Sequence, residues 1–132
     1  MADNSKDSYF DKTPSWALQY FDIDHPKWGI CNENKFIRSV VLYLKSIERS
    51  KWSDILTSTS GRSGNTRNHR VNIENLCVEA RRRIVDLGLE AHDALVSIAI
   101  SNRERIWGIL LEGVYFVVWL DPEHEVYPVS VQ

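Results

Sequence analysis

The run WLDPEHEVYP, from Trp119 to Pro128, sets an imidazole and a phenol among three carboxylates directly after an apolar stretch. Histidine is the side chain that moves protons near neutral pH, and a nearby arginine supplies the fixed positive charge that phosphoryl transfer calls for. The same residues also make an ordinary turn, with Asp121 at its first position and Pro122 at its second. Asp121, Glu123 and Glu125 around His124 are expected to raise its pKa and to repel a phosphate backbone. They offer oxygens to a metal, but closeness in sequence does not make ligands converge, and no His-Glu-x-x-His spacing is present, so no metal is expected. His25 and His69 fall in apparent loops and His92 follows a helix end, which is where surface histidines sit.

A second candidate is TSTSGRSGNTRNHR, residues 57–70, which has two glycines, many hydroxyl and amide side chains, no acid, and Arg62, Arg67 and Arg70. It is either a nucleic-acid-binding loop that receives an anion or a solvated connection. No Gly-x-Gly-x-x-Gly, Walker-type or Gly-x-Ser-x-Gly motif occurs, and no cofactor is expected. Trp107, Tyr115, Trp119 and Tyr127 could stack on a base. Core packing is the more economical use of such aromatics.

Composition limits the readings. A chain of 132 residues is one domain by size, large enough for a core without disulfides, and its two cysteines form no Cys-x-x-Cys pair. No stretch approaches the roughly 18 apolar residues that span a bilayer, and the opening residues lack a secretory apolar region. These features predict a cytoplasmic protein that does not enter a membrane. The net charge is −2 but unevenly spread. Asp3, Asp7, Asp11, Asp22 and Asp24 dominate the start, six arginines (Arg62, Arg67, Arg70, Arg81, Arg82 and Arg83) dominate residues 57–85, and beyond Arg105 every fixed charge is acidic. A basic middle can bind an anion locally, while the overall balance disfavours strong non-specific attraction to nucleic acid.

The elements that must position these groups follow from periodicity. Residues 1–15 have the composition of a disordered tail, and 16–132 form the domain. Trp16, Leu18 and Tyr20 alternate with Ala17, Gln19 and Phe21, and aromatics at period two predict a strand with one buried face that ends at Asp24-His25-Pro26. Asn32 is placed to cap a helix whose core stripe is Phe36, Ile37, Val40, Val41, Leu44 and Ile47. Ser50 or Ser53 caps a short second helix through Trp52, Ile55 and Leu56. Asn72 caps a third, with Ile73, Leu76, Cys77, Ala80, Ile84 and Leu87 on one face and Gly88 at its end. Arg81, Arg82 and Arg83 point different ways, with Arg82 or Arg83 at the core's edge. The period then shortens to two: ALVSIAIS (94–101), RIWGILL (105–111) and VYFVVWL (114–120) read as an antiparallel meander, with Glu112-Gly113 as a hairpin turn. Val114, Phe116, Val118 and Leu120 would share one face of the last strand and Tyr115, Val117 and Trp119 the other. EVYPV would add one more short strand. The expected fold is α+β, with two or three helices on an antiparallel sheet of three to five strands.

The trail WSDIL, NHRV, an arginine-rich amphipathic helix, IAISNRERIWGI and VVWLDPEHEVYP resembles an uncharacterised family of small bacterial proteins over about residues 16–128. Leu120 stands where that family's pattern has a second aromatic. The resemblance implies a fold unit and no particular activity. The order of elements also looks like the RelE/YoeB/HigB group of toxin endoribonucleases, which cleave mRNA on the ribosome by driving the ribose 2′-hydroxyl onto its own phosphate. That resemblance implies that Arg103 and Arg105 stabilise the pentavalent phosphate, that His124 or Tyr127 moves the proton, and that the partners are RNA, the ribosome or a cognate antitoxin. The rival expectation is a non-catalytic interaction module, dimeric through its sheet. The two differ in a visible way: a nuclease brings Arg103, Arg105 and His124 into one exposed cleft, whereas a module scatters them and leaves an apolar patch exposed.

Overall fold

The computed structural model describes residues 9–30, 34–58 and 68–128. In these, the chain runs β1 (Ser15–Ala17), α1 (Asn34–Ile47), α2 (Trp52–Thr57), β2 (His69–Asn72), a 3-10 turn (Ile73–Asn75), α3 (Val78–Asp86), β3 (Ala94–Ala99), β4 (Arg105–Leu111) and β5 (Val114–Asp121). The five strands form one sheet in the order β1-β5-β4-β3-β2. The α+β architecture and the meander β3-β4-β5 agree with the sequence reading. One refinement is that β1 lies parallel to β5, Ser15 beside Val114, so the sheet is mixed.

Both faces of the sheet are covered. On one, Phe36 and Val40 of α1 and Trp52 and Ile55 of α2 pack against Val96, Ile98, Ile106, Tyr115, Val117 and Leu120. On the other, Ala80 and Ile84 of α3 pack against Val71, Leu95, Trp107, Ile109, Val118 and Trp119. Strands covered on both sides read as continuous apolar runs, and all six residues of β3 are buried.

The face assignment expected for β5 is corrected by a bulge. Trp107 pairs with Trp119 but Gly108 pairs with Val117, leaving Val118 as the extra residue. Val118 and Trp119 therefore join the same cluster, and Leu120 lies on the opposite face with Tyr115 and Val117. Gly108 makes room for this. A Cβ there would come 2.5 Å from the Phe116 carbonyl oxygen and 2.6 Å from the Tyr115 ring, and the Tyr115 hydroxyl passes over it to donate to the Val96 carbonyl at 2.7 Å. Glu112 and Gly113 have φ of 51° and 90°, the pair of positive angles that a two-residue hairpin of type I′ needs.

Other expectations shift. The N-terminal strand is only three residues, because Phe21 N–H turns back onto the Leu18 carbonyl. Residues 9–14, expected as tail, are anchored: Tyr9 and Pro14 are buried, and the Phe10 and Lys12 carbonyls accept from Ser53 and Trp52 N–H at the start of α2, while Asp11, Lys12 and Thr13 are exposed. Lys51, not a serine, precedes that helix. Val41 is exposed, narrowing the stripe of α1, and Asn32 lies outside the described residues. The third helix starts at Val78, because His69–Asn72 pairs with β3 and a 3-10 turn follows. Gly88, at φ 74°, ends it as expected. Of the expected strand EVYPV, the described residues Glu125 to Pro128 are not a strand, and Val129 lies outside the described residues. The segment's backbone is held by side chains, as described below.

Candidate functional site

Two buried carboxylates build the frame. Asp121, at the end of β5, accepts from Trp107 Nε1 (3.0 Å), from Glu125 N–H (2.8 Å) and from Val126 N–H (3.0 Å). A charge without solvent is tolerable when its oxygens are filled in this way. The consequence is that residues 122–126 turn back over the α3 face, where Val126 is fully buried and its carbonyl accepts from Cys77 N–H. The expected Asp-Pro turn is present, with His124 N–H 3.4 Å from the Asp121 carbonyl. It leaves His124 at φ 61°, a left-handed backbone that non-glycine residues seldom adopt.

The second carboxylate, Asp22, takes a two-pronged contact from Arg83 (2.8 and 2.7 Å) and the Trp119 indole N–H (2.9 Å). Burial pushes its carboxyl up, but these hydrogen bonds and the Arg83 charge outweigh that and hold it below the usual range. His25 is buried, not on the surface as the sequence suggested. Its Nδ1 accepts from Lys27 and Trp28 N–H, both at 3.0 Å, its Nε2 lies 3.4 Å from Glu79, and its ring stacks on Trp28. Gly29 is required there, since a Cβ would sit 2.3 Å from the Ile23 carbonyl oxygen. This segment braces α3 against β5, and none of its residues opens onto the cavity described next.

The cavity, about 330 Å³, is lined by His69, Arg70 and Val71 of β2, Ser97 of β3, Arg105 and Trp107 of β4, and His124 and Tyr127 of the return segment. Cross-strand register explains the assembly. His69 pairs with Ser97, Ser97 with Trp107 and Trp107 with Trp119, one row across four strands. Arg105 precedes Trp107 by two residues and so shares its face. Arg105 is half-buried and its Nη1 donates to the carbonyls of Ser101 (2.7 Å) and Glu104 (3.0 Å), which fixes the guanidinium. The Trp107 indole is committed to Asp121, and its ring serves as floor. Ser97 is 2% exposed, and it lines the base of the cavity. Among the described residues no carboxylate lines the cavity.

His124 corrects an expectation. Its pKa is lowered, chiefly by burial and next by the Arg105 charge, with Asp121 opposing and His69 adding to the decrease. The neighbouring acids are engaged elsewhere: Asp121 is filled by its donors, and Glu123 pairs with Arg103 at 2.8 Å. At neutral pH the imidazole is therefore unprotonated and able to accept a proton.

Of the residues proposed from sequence, the structure brings together Arg70, Arg105, His124 and Tyr127. Arg103 is elsewhere, facing a separate depression with Glu123, Ser101 and Phe36. Arg62 and Arg67 lie outside the described residues. His69 and Ser97 were missed. Reading His-Arg-Val as period two instead of as the end of a loop would have placed His69 beside the buried Val71. Among the described residues no group of three or more His, Cys, Asp or Glu is placed to hold a metal, and no helix is long and apolar enough to cross a membrane.

This arrangement can hold an anion between fixed cations and move a proton at its edge. The chain matches no protein-family model, no curated protein and no solved structure.

Proposed function

We propose that this protein is a metal-independent endoribonuclease, toxin-like in its effect on a bacterial host. The observation that carries the proposal is the meeting of Arg105 and an unprotonated His124 in one cavity that, among the described residues, no carboxylate lines. RNA contains its own nucleophile, so cleavage needs a base for the 2′-hydroxyl and a cation beside the phosphate, with no water to activate. His124 takes the hydroxyl proton, Arg105 faces the charge that develops on phosphorus, and Tyr127, at the rim, stacks on a flanking base. The net charge of −2 is compatible with this, because binding is set by local charge in the cavity more than by the sum.

The test is cleavage of a labelled single-stranded RNA in EDTA by purified protein, beside induced expression in a bacterial host. Wild type should yield products ending in 2′,3′-cyclic phosphate and should arrest growth. His124→Ala and Arg105→Ala, with unchanged circular dichroism, should each lose about 10²- to 10⁴-fold in rate and relieve the arrest. Intact RNA and normal growth with folded wild type would refute the reading.

A second reading, the non-catalytic module, is favoured by one feature. Trp16, Leu18, Val41, Leu44 and Val117 line an apolar groove of about 250 Å³ on the α1 face, with Leu18 68% and Val41 54% exposed. Lys45 and Glu48 edge it. These opposite charges one helical turn apart suit a second copy of the chain packed about a two-fold axis, Lys45 facing the partner's Glu48.

A further inference from the structure

Resting on the endoribonuclease reading, we infer that His69 is the second proton-transfer group of the site, the general acid that protonates the departing 5′-oxygen. In-line displacement at phosphorus puts the attacking 2′-oxygen and the leaving 5′-oxygen on opposite sides of the phosphate. One residue cannot reach both, so a base on one side needs an acid on the other.

The cavity supplies that opposition. His124 comes from the return segment after β5, and His69 from the edge strand β2. Between β2 and β5 lie β3 and β4, which contribute Ser97 and Trp107 to the floor. Neighbouring strands are about 4.8 Å apart, so the backbones of His69 and Trp107 are separated by about 10 Å, room for a phosphate between side chains that reach inward. His69 is close enough to His124 to contribute to the lowering of its pKa. Ser97, buried at the base of the cavity, carries a hydroxyl that can donate to a non-bridging phosphate oxygen, and Arg105 completes the cradle. In chain order the base and the acid are 55 positions apart, brought together by the pairing of β2 with β3.

The step balances as follows. The 2′-O–H proton passes to the His124 imidazole while the 2′-oxygen bonds to phosphorus. The bond from phosphorus to the 5′-oxygen breaks, and that oxygen takes a proton from the His69 imidazolium. The products are a 2′,3′-cyclic phosphate and a free 5′-hydroxyl. His124 then loses its proton to solvent and His69 regains one, so no external reactant is consumed.

The decisive experiment uses two RNA substrates of one sequence, one with ordinary linkages and one with sulfur in place of the 5′-bridging oxygen at the cleaved bond. A thiolate leaves without being protonated, so the second substrate needs the base and not the acid. Wild type, His69→Ala and His124→Ala are compared on both, with folding checked by circular dichroism. His69→Ala should lose about 10²-fold or more on the ordinary RNA and less than about tenfold on the thiolate-leaving RNA, while His124→Ala should be impaired on both. If wild type cleaves and His69→Ala matches it, or is equally impaired on both substrates, the assignment of His69 is overturned and the nuclease reading stands. If wild type cleaves neither, both fall.

Discussion

His25 is the buried titratable group on which the stability of this chain should turn near neutral pH. Its Nδ1 accepts two backbone N–H groups, and a protonated ring would present a donor to both. Burial, offset in part by Asp22 and Glu79, lowers its pKa below the ordinary 6.5. Because the folded value is the lower one, the unfolded chain binds more protons between the two values. The stabilisation is therefore complete above about pH 6.5 and is lost as pH falls, with a slope of at most about 1.4 kcal/mol per pH unit from this group. His124, also lowered, adds in the same window, whereas Asp22, lowered from 3.8, loses its contribution only in stronger acid. Urea unfolding at pH 7.5, 6.0 and 5.0 should show the decline. His25→Asn keeps an acceptor oxygen for the two N–H groups and removes the titration, so its profile should be flatter and its stability at pH 7.5 lower for want of the Trp28 stack. A decline as steep as that of wild type would show that another group governs it. Asp121 gives a sharper test. Three donors meet its two oxygens, and an amide can present only one oxygen. Asp121→Asn should cost about 1–3 kcal/mol and, by loosening the segment that carries His124, lower cleavage more than it lowers RNA binding.

Among the elements, the hairpin of β4 and β5 is where local chemistry and global need disagree. Glu112 occupies a left-handed position at φ 51° that its side chain does nothing to favour, while asparagine tolerates such angles. Glu112→Asn is exposed and leaves the core alone, so it should raise stability by about 1 kcal/mol, read as a higher urea midpoint with unchanged slope. An unchanged or lower midpoint would mean that the turn angles are not those described. The same hairpin shows what periodicity can carry. RIWGILL, Glu112-Gly113 and VYFVVWL were legible almost to the residue, because hydrophobic alternation and a two-residue link constrain each other. The bulge at Trp107 and Gly108 was not, since an inserted residue changes which face Val118, Trp119 and Leu120 present without changing how apolar they are. β2 was hidden for another reason: four residues on a sheet edge with one buried side chain carry too little pattern to stand out from a polar loop. His69 was lost with it. Arg105, His124 and Tyr127 could be named from residue type. Their convergence with His69 could not, because it depends on β2 joining β3 and on Asp121 folding the return segment back over the sheet.

At the scale of the whole molecule the two functional features lie on opposite faces of one sheet. The cavity is on the α3 side toward β2, and the apolar groove is on the α1 side beside β1. An association through the groove would therefore leave the cavity open, so self-association and RNA cleavage are separable properties. Scattered exposed apolar residues are common on monomers, but Trp16, Leu18, Val41 and Leu44 adjoin one another, and contiguity is what marks a contact surface. If two copies meet there, with Lys45 set against the partner's Glu48, the wild-type chain of 15.3 kDa should sediment as a dimer at high concentration and dissociate on dilution. Leu18→Lys places a cation in the groove at a position already 68% exposed, so the fold should be unaffected and the dimer lost, with RNA cleavage unchanged. Lys45→Glu should weaken association by setting like charges together, and Glu48→Lys in the same chain should restore it, with both effects shrinking in high salt as exposed charge pairs do. A single monomeric boundary for wild type at every concentration would remove the second copy as the occupant. A dimer that survives Leu18→Lys would place the interface elsewhere and leave the groove without a role in self-association.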